Sequence, residues 1–446
     1  MTKLSIIIFA LGLLPAFGFA QTEKQKDLSG TVTLEQCISY ALNNQPNVRL
    51  ANIDQEIIER DINVQLADWL PQVRGEASYN RNLVIGSNVI DIGGQSTIVR
   101  QGLNNSSNLL LQADQAIYSN ELLLASKASK YSRQQAGLNV ESVKINTITQ
   151  VSKAFYDVLL SQEQLRILDG DIVRLEKQLN DAYAQFESGL VDKIDYKRAT
   201  ISLNSSKSQR KTVAERLVYK KSFLNQLMGI STNANISLVF DDSDIAAKIA
   251  LDTSAYVAQE NRIELKQLNT QKQLQQLNVS YYKLGFIPKL SAYYNYNLNY
   301  FNNDFARLYD TDYPASQVGL RLSIPIFQGT KRIQSLRKAE LQTEAIDVTI
   351  EDQKNQINTE YDLALGTYKS NLSDWQFQEQ NEKLAKDVYE TVKMQYDEGI
   401  KTYLDLITAE TDLRTSQLNY LNSLYNLLSS KVDVQRAMGT LTPTLQ

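Results

Sequence analysis

The 446-residue chain is 43% hydrophobic, has a formal charge of −4, and contains no histidine and a single cysteine, Cys37. The lack of histidine excludes imidazole triads, His-ligated zinc and imidazole acid–base catalysis, and a lone cysteine excludes an internal disulfide or a thiolate cluster. The mild acidity lacks the basic excess that binding to nucleic acid requires.

The chain begins MTKLSIIIFALGLLPAFGFA, with Lys3, an apolar run from Leu4 to about Ala16 and small residues at Gly18 and Ala20. That is the pattern of a secretory signal peptide over residues 1–20. No later apolar run reaches the length of about 18 residues that a membrane helix needs. An exported chain without such a run is either soluble outside the cytoplasm or a transmembrane β-barrel, whose strands leave a weaker signal.

Helical periodicity starts after Thr33, which with Gln36 three residues on reads as a capping box, and continues from 33 to 70. Cys37 then reads as a small apolar residue of this helix. Alternating segments follow at about 73–82 and 107–118, joined by a polar loop that contains Gly93-Gly94. A proline-free helical pattern runs over 120–187, Gly189 caps it, and a shorter helix returns over 192–228. Residues 230–252 break the pattern, with a short strand expected at 236–240. The same succession follows: helix 254–287, strands 289–301 and 316–327, long helix 330–397, Gly399, and return helix 402–438. In the second long helix Ile350, Ile357, Tyr361, Ala364, Tyr368 and Trp375 keep the three/four spacing of a coiled-coil seam. At 1.5 Å per residue such a helix is about 100 Å long, more than a globular core accommodates.

The strand 289–301 reads KLSAYYNYNLNYF. Leu290, Ala292, Tyr294, Tyr296, Leu298 and Tyr300 alternate with Lys289, Ser291, Asn295, Asn297 and Asn299. In the next strand Val318, Leu320, Leu322, Ile324 and Ile326 alternate with Gln317, Gly319, Arg321 and Ser323. Two readings stand: strands that turn one face to lipid and one to water, or a wet-faced sheet on a soluble core. Four strands are too few to close a barrel, and open edges have no place in lipid, so membrane strands here imply one barrel shared among chains.

Leu70-Pro71 and Ile287-Pro288, Gly189 and Gly399, and Met228-Gly229 and Met438-Gly439 recur about 210 residues apart, which reads as an internal duplication. The expected organisation is a first repeat over 21–229, an equatorial linker over 230–252, a second repeat over 253–439 and a C-terminal tail over 440–446.

The signal peptide, the two helix–hairpin–helix halves, the prolines that lead into strands and the motif of Gly, then Leu or Ile, then Asp six residues after the Gly together resemble the TolC-like outer-membrane efflux family. The resemblance spans essentially the whole mature chain. It implies a mainly α fold with a small β part: a homotrimer whose long coiled-coil helices form an α-barrel joined to a 12-stranded transmembrane β-barrel, four strands per chain. It also implies an outer-membrane channel of a Gram-negative bacterium that extends into the periplasm. Such a channel passively exports substrates for an efflux or type I secretion complex and opens at its periplasmic tip through an adaptor (membrane fusion) protein and an inner-membrane pump of RND or ABC type. Outer-membrane lipid is a further partner, and no cofactor, metal or catalytic residue is expected. Tyr294, Tyr296, Leu298, Tyr300, Leu320, Leu322 and Ile324 would belong to the membrane strands, and Gly189, Leu190, Gly399 and Ile400 to the helix-turn tip. The aperture and latch fall on Asp195, on Tyr396 that bonds to it in the family, on Lys401 where an arginine is usual, and on Asp405 of an acidic ring. The second ring position falls on Thr408, which is not acidic. The alternative reading is a periplasmic coiled-coil scaffold or adaptor without a pore.

Overall fold

The computed structural model describes residues 31–100, 102–190, 192–234, 236–238, 249–251 and 259–441. The expected signal peptide, most of the linker and the end of the tail lie outside them. Thr33 caps the first helix, α1 (Leu34–Asn44), with both bonds of the capping box: Gln36 N–H donates to Thr33 Oγ1 and Thr33 N–H to Gln36 Oε1. The segment expected as one helix over 33–70 is two, because Pro46 has no N–H to continue α1. It opens α2 (Pro46–Leu66) instead, in the first-turn position that proline favours, with Gln45 as side-chain cap.

Strand β1 (Thr31–Val32) pairs in parallel with β6 (Ser237–Leu238), so the short strand expected near 236 exists and ties the start of the described chain to the middle. The hairpin strands are β2 (Gln72–Arg81), β5 (Asn105–Tyr118), β7 (Lys289–Asn302) and β8 (Asp312–Ser323), which form one antiparallel sheet in the order β2-β5-β7-β8. The connection between the first two, expected as loop, folds into a second hairpin, β3 (Ser87–Ile92) and β4 (Gln95–Arg100). Gly93 and Gly94 both have positive φ, which a two-residue hairpin turn requires. β8 begins before and ends before the expected 316–327. As an edge strand it tolerates Pro314, and Pro325 ends it, so Ile324, Ile326 and Phe327 lie beyond it, exposed.

Cross-strand register sorts the sheet into two faces. Val73, Ala113, Tyr294 and Val318 form one row, Ala77, Leu109, Leu298 and Pro314 another, and the pairs Ala292–Leu320 and Leu290–Leu322 extend the same apolar face. The opposite face carries Arg74, Gln112, Asn295 and Gln317, and further along Ser78, Asn108 and Asn299. Ring pairs Tyr79–Phe305, Tyr300–Tyr309 and Phe301–Tyr313 gather at the end of the sheet next to the β7–β8 connection.

From the sheet two long helices run out, α3 (Asn120–Glu187) and α6 (Lys331–Asp397). Each is followed by a return helix, α4 (Lys193–Met228) after α3 and α7 (Tyr403–Ala437) after α6. Between β6 and β7 lies α5 (Ile263–Lys283), shorter than the expected 254–287. The helix α3 is the hub and packs on α1, α2, α4, α5 and α7. The expected α6 seam points inward: Ile357 and Tyr368 are buried, and the Tyr368 hydroxyl donates to the Ile249 carbonyl at 2.7 Å. The largest core joins β1, β6, α1, α3 and α4 around Phe155, Val158, Leu224 and Met228, with Cys37 fully buried in it. Burial pushes the Cys37 thiol up to about 12, so it behaves as an inert apolar side chain.

Candidate functional site: the paired helix turns

Both long helices stop the same way. At the end of α3, Gly189 N–H donates to the Phe186 carbonyl at 3.0 Å and Leu190 N–H to the Gln185 carbonyl at 2.9 Å. At the end of α6, Gly399 N–H donates to Tyr396 at 2.9 Å and Ile400 N–H to Gln395 at 2.8 Å. This double bond pattern needs a left-handed residue, and both glycines have φ of 74°. Leu190 and Ile400 project from the two turns, exposed.

Asp195 and Asp405 occupy equivalent places, three residues into α4 and α7, where a carboxylate interacts well with the helix N-terminus. Asp405 completes a capping box: its Oδ2 accepts from Thr402 N–H at 3.0 Å and from Thr402 Oγ1 at 2.7 Å. Those bonds, with the nearby Lys401 charge, hold its carboxyl below the usual range. Tyr396 is half-buried; the Gln185 side-chain amide donates to its hydroxyl oxygen, and Asp195 acts on it through its charge. Burial pushes the Tyr396 phenol up, the Gln185 bond works against that, and the neighbouring Asp195 charge adds to the rise. The site residues therefore form two groups, Asp195 with Tyr396 and Lys401 with Asp405. Thr408 is exposed and its hydroxyl donates to the Leu404 carbonyl.

Sequence reasoning missed a buried charge cluster two to three turns further in. Asp171 of α3, fully buried, accepts from Ser206 Oγ of α4 at 2.7 Å and Arg414 Nη1 of α7 at 2.9 Å, and pairs with Arg174 Nη2 at 3.3 Å. Arg174 in turn donates to Glu410 of α7 at 2.9 Å, and Gln178 donates to the other Glu410 oxygen at 2.7 Å. Burial raises the Glu410 carboxyl even against these bonds. The cluster fastens α7 to both helices of the first hairpin. Its only sequence signals are the Asp171–Arg174 and Glu410–Arg414 spacings of three and four, which also suit solvent-exposed pairs.

The sequence profile of the family described as outer membrane efflux protein matches residues 37–229 and 255–440. The chain belongs to that family. Its members are transport channels rather than enzymes, and membership makes this chain an outer-membrane efflux channel of a Gram-negative bacterium that extends into the periplasm, not a scaffold without a pore. Among relatives of this outer membrane efflux protein, TolC of Vibrio cholerae is 21% identical over 435 residues, with 96% of each chain covered. TolC of Escherichia coli is 21% identical over 99% of this chain and 87% of its own. The solvent efflux pump outer membrane protein SrpC of Pseudomonas putida is 22% identical over 93% and 87%. Crystal structures of CusC (TM-score 0.72, 17% identity, 91% of each chain) and of VceC from Vibrio cholerae (TM-score 0.71, 16% identity, 91% and 96%) share the fold.

Proposed function

We propose that three copies of the chain share one channel, with twelve strands closing a barrel in the outer membrane and the long helices forming a hollow stem in the periplasm. The observation that carries this is the four-stranded sheet, which has one apolar face and leaves β2 and β8 unpaired at its edges within the chain. Backbone groups on such edges have no partner in lipid, so β8 of one copy is read as pairing with β2 of the next. Aromatic pairs at one end of the sheet fit the interfacial belt of membrane barrels.

The stem supports the same reading. Leu50, Ile53, Ile57 and Val64 lie exposed at helical spacing on α2, as do Leu341 and Val348, and Phe377 and Leu384, one heptad apart on α6. A second copy of the chain is the partner that would cover these seams. The two-part family match and the matching helix ends favour an internal duplication, with residues 21–229 and 253–439 as repeats and 230–252 as an equatorial linker.

The paired turns are read as the periplasmic aperture, closed at rest and opened by an adaptor protein and an inner-membrane pump of RND or ABC type, which supplies the energy. Relatives named as outer membrane proteins of efflux pumps support a pump partner. Asp405 from three copies would form one acidic ring that favours cations, and Lys401 would act as a point-charge latch without the bidentate fork of an arginine. Purified protein in planar bilayers tests the aperture: wild type gives small conductance, and Tyr396→Phe with Lys401→Ser raises it several-fold. Unchanged conductance in a conducting protein would rule out these latch roles.

A further inference from the structure

The two helix turns meet at one junction, where Leu179 of α3, Ala199 of α4, Tyr396 of α6, and Tyr403 and Ile407 of α7 pack together. Tyr403, the first residue of α7, is 4% exposed, and its ring meets the Tyr396 ring edge-on at 6.1 Å. Its hydroxyl is buried and takes no hydrogen-bond partner among the described residues. Buried polar groups without partners are rare in native proteins, and each costs its full desolvation. Asp195 and Glu410 stand close enough for their charges to act on the phenol, yet neither accepts its proton in a hydrogen bond. Glu410, seven residues on in α7, belongs to the charge cluster, so α7 is held to α3 and α4 about 10 Å above the junction. Nearer the turn, apolar packing joins the two hairpins and Tyr403 is the buried aromatic in it.

We infer that Tyr403 sets the balance between the closed and open tip: its ring wedges the two turns together, while its unpaired hydroxyl gains a water partner only when they part. The inference rests on the aperture reading above and adds to it a residue outside the expected latch. The two halves of the side chain act in opposite directions, and substitution separates them. Tyr403→Phe keeps the wedge and removes the orphan group, so the closed tip becomes more stable. Tyr403→Ala removes the wedge and leaves a cavity, so the tip loosens.

Conductance of the purified full-length protein in planar bilayers, compared with both variants, is the test. Y403F is expected to lower the probability of the open tip by at least about fivefold, and Y403A to raise it about tenfold or more. Thermal unfolding follows the same order, with the Y403F midpoint above wild type and the Y403A midpoint below. If Y403F opens the tip as Y403A does, the hydroxyl is a bond that holds the gate and the inference is wrong. If wild type conducts and both variants match it, the inference fails while the channel stands. A wild-type protein that never conducts overturns the aperture reading and this inference together.

Discussion

Replacement of Asp171 with alanine is expected to destabilise the protein by about 3–5 kcal/mol, the cost of removing one member of a buried ion network. Asp171 is fully buried and accepts from Ser206 and Arg414 while it pairs with Arg174. Without it Arg414, whose side chain is 15% exposed, loses the carboxylate that offsets its desolvation, and the Ser206 hydroxyl loses its acceptor. An isosteric Asp171→Asn keeps an acceptor but not the charge and falls in between. The neighbouring pair Arg210–Asp169 is the control, because both side chains are about half exposed. Asp169→Ala should cost under about 1 kcal/mol, as exposed ion pairs contribute little. Thermal or denaturant unfolding of the detergent-solubilised protein checks the order, and equal midpoints for D171A and D169A would remove the cluster from the account.

Alanine at Gly229 is expected to destabilise by about 3 kcal/mol or more, through backbone strain and steric conflict together. Gly229 has φ of 75°, and an added Cβ would lie 2.4 Å from the Asn44 carbonyl oxygen and 2.9 Å from Gln45 Cα. Those atoms are backbone at the α1–α2 junction, so relief requires one helix to shift off the core around Leu224 and Met228. Two other glycines separate the contributions. Gly189 has nearly the same φ, 74°, with nothing within 4 Å of an added Cβ, and Gly439 has φ of 69° with its nearest neighbour, Asn261 C, at 3.3 Å. Alanine at Gly189 should cost only the left-handed penalty of about 1–2 kcal/mol. Gly439→Ala should cost slightly more and Gly229→Ala most. Unfolding midpoints that do not separate the three would show that close backbone approach at Gly229 is not what the glycine is for.

The helices were the most legible part of this sequence. The span 120–187 coincides with α3 to the residue, and the turn glycines were readable because a long periodic pattern followed by Gly admits few alternatives. The apolar rows of the sheet were legible from period-two alternation around Tyr294, Tyr296 and Leu298. What stayed hidden depends on local chemistry that periodicity overrides or on packing between distant segments. The helical pattern continues through Gln45-Pro46 because proline in the first turn of a second helix leaves the chain close to its previous course. The hairpin of β3 and β4 was lost in a polar loop although Gly93-Gly94 is its turn signal. The charge cluster was illegible for another reason: Asp171, Arg174, Glu410 and Arg414 are spaced as surface pairs are, and only the packing of α3, α4 and α7 turns them inward. Asp405 shows the reverse, since its position predicted an acid at the turn and its cap with Thr402 accounts for one within a single chain.

The central claim is that β2 and β8 of different copies pair, and a disulfide scan tests it most directly. Within one chain these strands stand three strand spacings apart, about 14 Å, beyond the roughly 7 Å that a disulfide spans. Cys37 is buried and inert, so it can remain. A cysteine at Ala77 on β2, combined in turn with one at each position from Ser316 to Leu322 on β8, is expected to yield covalent dimers and trimers under oxidation in the outer membrane. The ladder should end at three chains and appear only in registers that place the two cysteines opposite each other. Oxidation that leaves a monomer in every register, or a ladder that continues past three, would contradict the shared barrel.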